Sequence, residues 1–443
     1  MRWKSAGAVR SARTNREIHD PAVMSDMKVP ELLAPAGDFE KLKTAIHYGA
    51  DAVYLGDSRF SLRGKAGNFT DNELMKAVLY ARGKGVEVYV TVNIFPHNRD
   101  LAGLEEHIEL LREVRPDAVI LSDPGLFMMF KKKASEIEIH ISTQANITNV
   151  ESALFWEGIG AGRLVLSREL SVDEIREIRR KTSVGLEVFV HGSMCISYSG
   201  RCYISSFLAS RSANMGQCTN SCRWNYALME EKRDGEFFPV FENDRGTFIM
   251  SSKDLCMIEH LPVLAEAGID SFKIEGRMKG INYIAGVVKT YREALDSLKD
   301  DGAYIVNPGW LRELSMFSSR GYTTGMFFGK QPDEGYNFDG KSYRMSHDFV
   351  GIVVDLDGNT ASVGLRNRLD SGDHVEYLSP GLEEKTFEIG LMKDKDGTEI
   401  NSARNGDMVF IRVPDGVRRN DLIRREKGAG LTQRNVIRVR GES

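Results

Sequence analysis

The chain has 443 residues, with 59 Lys plus Arg against 63 Asp plus Glu and a formal net charge of −4. At 42% hydrophobic and 28% charged residues it has the composition of a chain that folds in water, long enough for two or three domains or one large barrel with an appendage. No run approaches the ~18 apolar residues of a membrane span, no apolar h-region follows the N-terminal arginines, and five cysteines are too few for a disulfide scaffold, so membrane and secretory classes are excluded and a cytoplasmic location is expected.

Residues 1–28 carry Arg2, Lys4, Arg10, Arg13, Arg16 and Lys28 with little hydrophobic periodicity. They read as a flexible basic arm, or as an extension upstream of a start at Met24 or Met27. From Glu31 onward short apolar runs alternate with amphipathic stretches. The runs are ELLAPAG (31–37), DAVYLGD (51–57), EVYVTVNIF (87–95), DAVILSD (117–123), IEIHISTQAN (137–146), RLVLSREL (163–170), GLEVFVHG (185–192) and DSFKIEGR (270–277). Helices are predicted between most of them, for example over 38–48, 71–82, 101–114 and 171–180, with Asp or Ser at several starts and Gly49, Gly83 and Gly85 as stops. Eight such units over residues 29–300 match the size of a TIM-like (β/α)8 barrel. An open doubly wound sheet is the rival, disfavoured because no GxGxxG follows the first strand.

After the seventh predicted strand the rhythm breaks, and a loop of roughly 60 residues (191–250) precedes the next helix, predicted over about 254–267. A linker is expected over 301–342. From 343 to the end, short apolar runs such as FVGIVVDLDG and GDMVFIRVP, separated by turn signals, predict a small all-β barrel. It ends in a basic tail with Arg424, Arg425, Lys427, Arg434, Arg438 and Arg440. Such a tail is either a solvated surface or a source of non-specific phosphate contacts to nucleic acid, and a near-neutral total does not exclude the latter.

Barrel enzymes place their reactive groups at the C-terminal ends of strands. Reading those ends gives Gly37, Gly56, Asn93, Asp123, Thr143, Gln144, Asn146, Ser167, Arg168, His191, Lys273, Glu275 and Arg277. Any one of them could be a satisfied structural polar group; a ring of them from different strands predicts a pocket. Arg168, Lys273 and Arg277 would give that pocket a positive floor suited to a carboxylate or phosphate.

The long loop also holds the cysteines: HGSMCISYSGRCYISS, then RSANMGQCTNSCRW. Cys195 and Cys202 are separated by six residues and Cys218 and Cys222 by three, while Cys256 lies just beyond in SSKDLCMIEH. Buried structural thiols are the plain reading. Disulfides are disfavoured without a secretion signal. Metal ligation remains, and with no CxxC knuckle the spacing leaves zinc and an iron–sulfur cluster both open.

The run EVFVHGSMCISYSGRCYISS resembles the signature of the collagenase-like peptidase family U32. The stretches ELLAPAGDFEKLKTAIHYGADAVYLG, STQANITN, NMGQCTNSCRW and DSFKIEGRMKG are similar to its other hallmarks, from about Glu31 to Leu298. The β-rich tail resembles the family's C-terminal domain. The family name implies a protease, yet His191 beside Cys195 leaves three cysteines without a role, and no HExxH supports a zinc protease. By TNSCRWNY, SSKDLC and the β tail the chain most resembles the branch of tRNA uridine 5-hydroxylases.

That resemblance implies hydroxylation of the wobble uridine of tRNA with prephenate as hydroxyl donor, and a 4Fe–4S cluster supplied by the iron–sulfur assembly machinery. It implies Cys195, Cys202 and Cys218 as cluster ligands, with Cys222 as the fourth and Cys256 as its runner-up. On this expectation His191 or Glu275 moves protons, and Lys273, Arg168 and Arg277 meet the donor's carboxylates, with Gln144 and Asn93 beside them. A peptidase, a hydroxylase of a 23S ribosomal RNA cytidine, and a non-catalytic RNA-binding partner are the alternatives.

Overall fold

The computed structural model describes residues 28–427 other than 58, 63–66, 196, 199–200, 216, 224–240, 244–245, 249–252, 300–303, 318–320, 330–345 and 382–384. Most of the predicted basic arm, the tail arginines Arg434, Arg438 and Arg440, and part of the long loop therefore lie outside the described residues.

Seven predicted strands form β1 (Glu31–Pro35), β2 (Ala52–Gly56), β3 (Glu87–Thr91), β4 (Ala118–Leu121), β5 (Glu138–Ile141), β6 (Arg163–Val165) and β7 (Gly185–Ser193). In the long loop two short strands, β8 (Phe241–Asn243) and β9 (Gly246–Phe248), form a hairpin. Then come β10 (Asp254–Cys256) and β11 (Ser271–Ile274). Strands β1 to β7 pair in chain order and in parallel, and β11 closes the circle by pairing with both β1 and β7. The result is the expected closed eight-stranded parallel barrel. Its strands are short, mostly buried runs such as AVYLG and AVIL because both faces are covered, one by the barrel interior and one by helices.

Helices occupy the predicted gaps: α1 (Phe39–His47), α2 (Asp71–Arg82), α3 (Leu101–Val114), α4 (Pro124–Lys133), α5 (Val150–Gly158) and α6 (Val172–Lys181). Their starts are set locally. The Asp38 carboxylate accepts from Lys41 N at 2.9 Å, and Thr70 with Glu73 and Ser171 with Glu174 form reciprocal capping boxes. Next follow α7 (Ile204–Ala209), α8 (Leu261–Glu266), α9 (Ile281–Asp296) and α10 (Pro308–Met316).

Two segments differ from expectation. The helix predicted over 254–267 is confined to α8, because β7 overshoots the barrel rim and β10 pairs antiparallel with that overhang, His191 opposite Cys256. The segment predicted as a linker contains α10, whose Trp310 and Leu314 are buried, and β12 (Tyr322–Thr323), which extends the rim sheet from β10.

The C-terminal unit is antiparallel, with β13 (His347–Asp357), β14 (Thr360–Leu365), β15 (Leu369–Asp370), β16 (His374–Leu378), β17 (Lys385–Glu388), β18 (Met392–Lys393), β19 (Glu399–Ile400), β20 (Ser402–Ala403), β21 (Met408–Arg412) and β22 (Leu422–Glu426). Eight of them curl into a half-barrel in the order β17-β16-β22-β13-β14-β21-β18-β19, around Val350, Val363, Val409 and Ile423. This unit is docked on the barrel. Leu378 and Leu422 join the barrel's own core, and Tyr48 Oη donates to Leu378 O at 2.6 Å while accepting from Leu422 N at 3.1 Å. The fully buried Arg424 makes a two-pronged pair with Glu313 of α10 at 2.5 and 2.8 Å. No described helix is long and apolar enough to cross a membrane.

Candidate active site

A cavity of about 160 Å³ opens at the C-terminal end of the barrel, the end at which this architecture places its chemistry. Its floor is set by residues at and just past the strand ends: Lys273, Glu275, Arg277, Arg168, Gln144 and Asn93. All six were expected there. The roof comes from the long loop after β7, and Cys195, Cys202, Cys218 and Cys222 all face the same cavity.

Each floor residue is held by partners that periodicity in the sequence does not reveal. Lys273 Nζ meets Glu187 Oε1 at 2.7 Å inside the barrel and lies 4.5 Å from the centre of the Tyr54 ring. Burial works to raise the Glu187 carboxyl, but Lys273 and Arg163 hold it below the usual carboxylate range. Arg277 is buried and spreads its fork across the loop after β2 and the end of β3. It donates to Ser61 Oγ at 2.5 Å, Thr91 Oγ1 at 3.1 Å and Asn68 Oδ1 at 2.6 Å. The backbone must approach closely here: a Cβ on Gly56 would stand 2.6 Å from Arg277 Nη2.

Arg168 stacks on the Phe189 ring at 3.9 Å and donates to Ser193 O at 2.9 Å, while its buried Nε has no hydrogen-bond partner among the described residues. Asn93 Nδ2 donates to Gln144 Oε1 at 3.1 Å, which ties two strand ends together. Tyr54 Oη donates to Glu275 Oε2 at 3.4 Å, leaving this carboxylate on the cavity wall.

His191 is placed elsewhere. It is 1% exposed, is not among the lining residues, and is enclosed by the rings of Tyr283, Tyr291 and Tyr322, with Nδ1 3.3 Å from Tyr291 Oη. Burial pushes the imidazole down to about 3, against the opposing pull of Asp254. Its contact with the floor is through the backbone, where His191 O accepts from Glu275 N at 2.9 Å. Asp123, the end residue of the fourth predicted strand, is spent on capping α4.

The thiols have an ordered setting. The Ile204 N–H points at Cys202 Sγ at 3.4 Å and the Asn220 N–H at Cys218 Sγ at 3.4 Å, each two residues along the chain. Amide donors of this kind stabilise thiolate sulfur and recur around sulfur-ligated iron. None of the five cysteines is in a disulfide. The four cavity thiols are spread over the roof rather than gathered round one point. Among the described residues no three His, Cys, Asp or Glu side chains stand close enough to hold a metal ion. Cys256 does not line the cavity; burial pushes its thiol up to about 11, and its Sγ lies 3.7 Å from Tyr291 Oη. In its chemistry the set, four thiols of which Cys202 and Cys218 accept amide hydrogen bonds, suits a thiophilic metal such as zinc or an iron–sulfur cluster.

Glu187, Ser61, Asn68 and Phe189 escaped the sequence reading. Glu187 alone carried a signal, a lone acid amid the apolar run GLEVFVHG. The other three sit in an ordinary loop or strand.

Comparison with known proteins agrees with this architecture. Residues 37–337 match the model of Peptidase family U32, and residues 345–424 match that of the Peptidase family U32 C-terminal domain. The chain is 41% identical over 382 residues to tRNA hydroxylation protein P1 of Bacillus subtilis, covering 85% of this chain and 90% of that protein. It is 35% identical to tRNA hydroxylation protein P of Escherichia coli, covering 92% and 98%. The 23S rRNA 5-hydroxycytidine C2501 synthase of Escherichia coli is 36% identical over 61% of this chain and 40% of its own length.

Proposed function

Because this chain belongs to peptidase family U32 and carries four thiols over an arginine-floored cavity, we propose that it is an enzyme of tRNA hydroxylation. More finely, it converts the wobble uridine to 5-hydroxyuridine, with a 4Fe–4S cluster on Cys195, Cys202, Cys218 and Cys222 and prephenate as the hydroxyl donor. The observation that carries the reading is that all four loop thiols line one barrel-mouth cavity. The two tRNA-hydroxylation relatives support it because they align over both domains, whereas the ribosomal RNA enzyme shares less than half of its length.

Held by Cys195, Cys202, Cys218 and Cys222, such a cluster would supply electron-transfer or Lewis-acid chemistry at the cavity roof. The chain's own residues do the rest. Arg168, stacked on Phe189 at the cavity wall, holds a donor carboxylate, and Lys273, fixed by Glu187 inside the barrel, brings a second cation to the floor. Arg277, braced by Ser61, Thr91 and Asn68, keeps three strand ends in register around the bound ring. Glu275 takes the proton that leaves C5 as the C–O bond forms; the donor, losing its hydroxyl, accepts the two electrons. The imidazole of His191, sealed among tyrosines, positions Glu275 only through the backbone.

A cysteine peptidase needs a thiolate paired with an imidazole. Among the described residues lining the cavity there is no histidine, and the aromatic enclosure of His191 removes the nearest candidate in sequence. Mass spectrometry of nucleosides from a deletion strain tests the proposal. Loss of 5-hydroxyuridine and its derivatives from tRNA, restored by the gene, is expected. An unchanged tRNA profile overturns it; loss of 5-hydroxycytidine from ribosomal RNA, or of gelatin cleavage, would then identify the alternative.

A further inference from the structure

The helix that forms part of the cavity roof carries a second, unexplained surface. Phe207 is 87% exposed and Tyr203 81%, the two most exposed large hydrophobic side chains among the described residues. The Phe207 N–H bonds Tyr203 O at 2.9 Å, so Phe207 stands one turn on from Tyr203, the residue at the N-terminal cap of α7. Ser205, between them in sequence, projects from the opposite side, is buried, and lines the thiol cavity with Ile204. The helix is thus a partition with the cavity on one side and an aromatic pair in water on the other. Tyr198, 57% exposed, belongs to the same loop.

The charge of this segment is one-sided. From Cys195 to Arg223 there are three arginines and no Asp or Glu. Arg201 is exposed and anchored at the rim by Gln144 O, at 3.0 and 2.7 Å. Self-pairing of two copies through this surface would set like charges together without carboxylates from the segment to offset them. A polyanion with exposed flat rings meets both features at once.

We propose that the Tyr203–Phe207 face of α7 is a stacking platform for unpaired RNA bases, beside the entrance by which the target base reaches the cavity. This rests on the RNA-modifying reading above and names the surface that delivers the substrate. A base must leave its stack before chemistry can reach it, and a neighbour held on an aromatic face maintains the splayed loop. Stacking of this kind tolerates sequence, while the arginines contact phosphates.

The test uses full-length protein purified anaerobically, as wild type and as Phe207→Ala, Tyr203→Ala and Phe207→Leu. Binding is measured to a labelled RNA hairpin with an unpaired, uridine-containing loop and to a fully paired duplex of equal length. Each variant is expected to bind the hairpin about tenfold more weakly, the leucine included because it cannot stack. Duplex affinity and iron content should be unchanged, since neither ring lines the cavity. Variants that match a binding-competent wild type on the hairpin overturn the platform and leave the tRNA reading standing. Variants that instead lose self-association in sedimentation, with RNA affinity intact, make the patch a contact between copies and also overturn it. A wild type that binds neither RNA removes both readings.

Discussion

Lys273 Nζ stands 2.7 Å from Glu187 Oε1 inside the barrel, with both side chains almost wholly out of water. Arg163 reaches the second oxygen of the same carboxylate at 3.5 Å, so one acid is shared by two cations. Desolvation makes such an arrangement expensive unless it is complete, and removing one member exposes that cost. Lys273→Met is therefore expected to lose about 3–5 kcal/mol of stability. The double variant Lys273→Met, Glu187→Leu should recover at least half of the loss. Urea melts of both check this; a single variant as stable as the double one would contradict the pairing.

Stability should fall with acid through His191. Its folded-state value of about 3 lies below the ordinary histidine value near 6.5, so the unfolded chain binds the proton first. The contribution is whole above about pH 6.5 and is lost as the pH falls toward 3, by up to about 1.4 kcal/mol per pH unit. Comparing His191→Gln with wild type by denaturation from pH 7 to 4 should show a shallower slope in the variant. Parallel slopes would mean the imidazole is not sealed from water.

Placement on the cavity separates the cysteines. Cys202→Ser and Cys218→Ser are expected to yield colourless protein with most of its iron lost, and Cys222→Ser to behave likewise. Cys256→Ser should retain iron, because its thiol faces Tyr291 rather than the cavity. Metal analysis with the visible absorption spectrum reads this directly. Iron lost from Cys256→Ser but kept in Cys222→Ser would reassign the fourth ligand.

Arg424 joins the two domains through Glu313 and also meets Glu376 of β16, its Nε 2.9 Å from Oε2. Arg424→Met takes the paired cation away from the buried Glu313, while Glu376 keeps His347, and should cost about 3–5 kcal/mol. Calorimetry is expected to show one transition splitting into two as the half-barrel uncouples. A single transition at an unchanged temperature would show that apolar contacts around Leu378 and Leu422 suffice.

What was legible in the sequence was local. Each barrel strand announced itself as a short apolar run because both its faces are buried, and helix starts at Asp38 and Ser171 were written in side chains that bond amides three residues on. The density of cysteines in one loop was equally visible, as were the polar strand ends. The overhang of β7 was not, since the run that predicts a strand does not say where its pairing partner will come from.

The tertiary structure decided which of those polar residues meet, and with what. Lys273 finds Glu187 across 86 positions, Arg277 finds Ser61 across 216, and Tyr48 finds Leu378 across 330. Closing the barrel turns Arg168, Glu275 and the four loop thiols inward and turns His191 into a cage of tyrosines. Composition and periodicity set burial and local backbone bonds residue by residue, whereas ion pairs and cavity walls depend on distances that exist only once the eighth strand has joined the first.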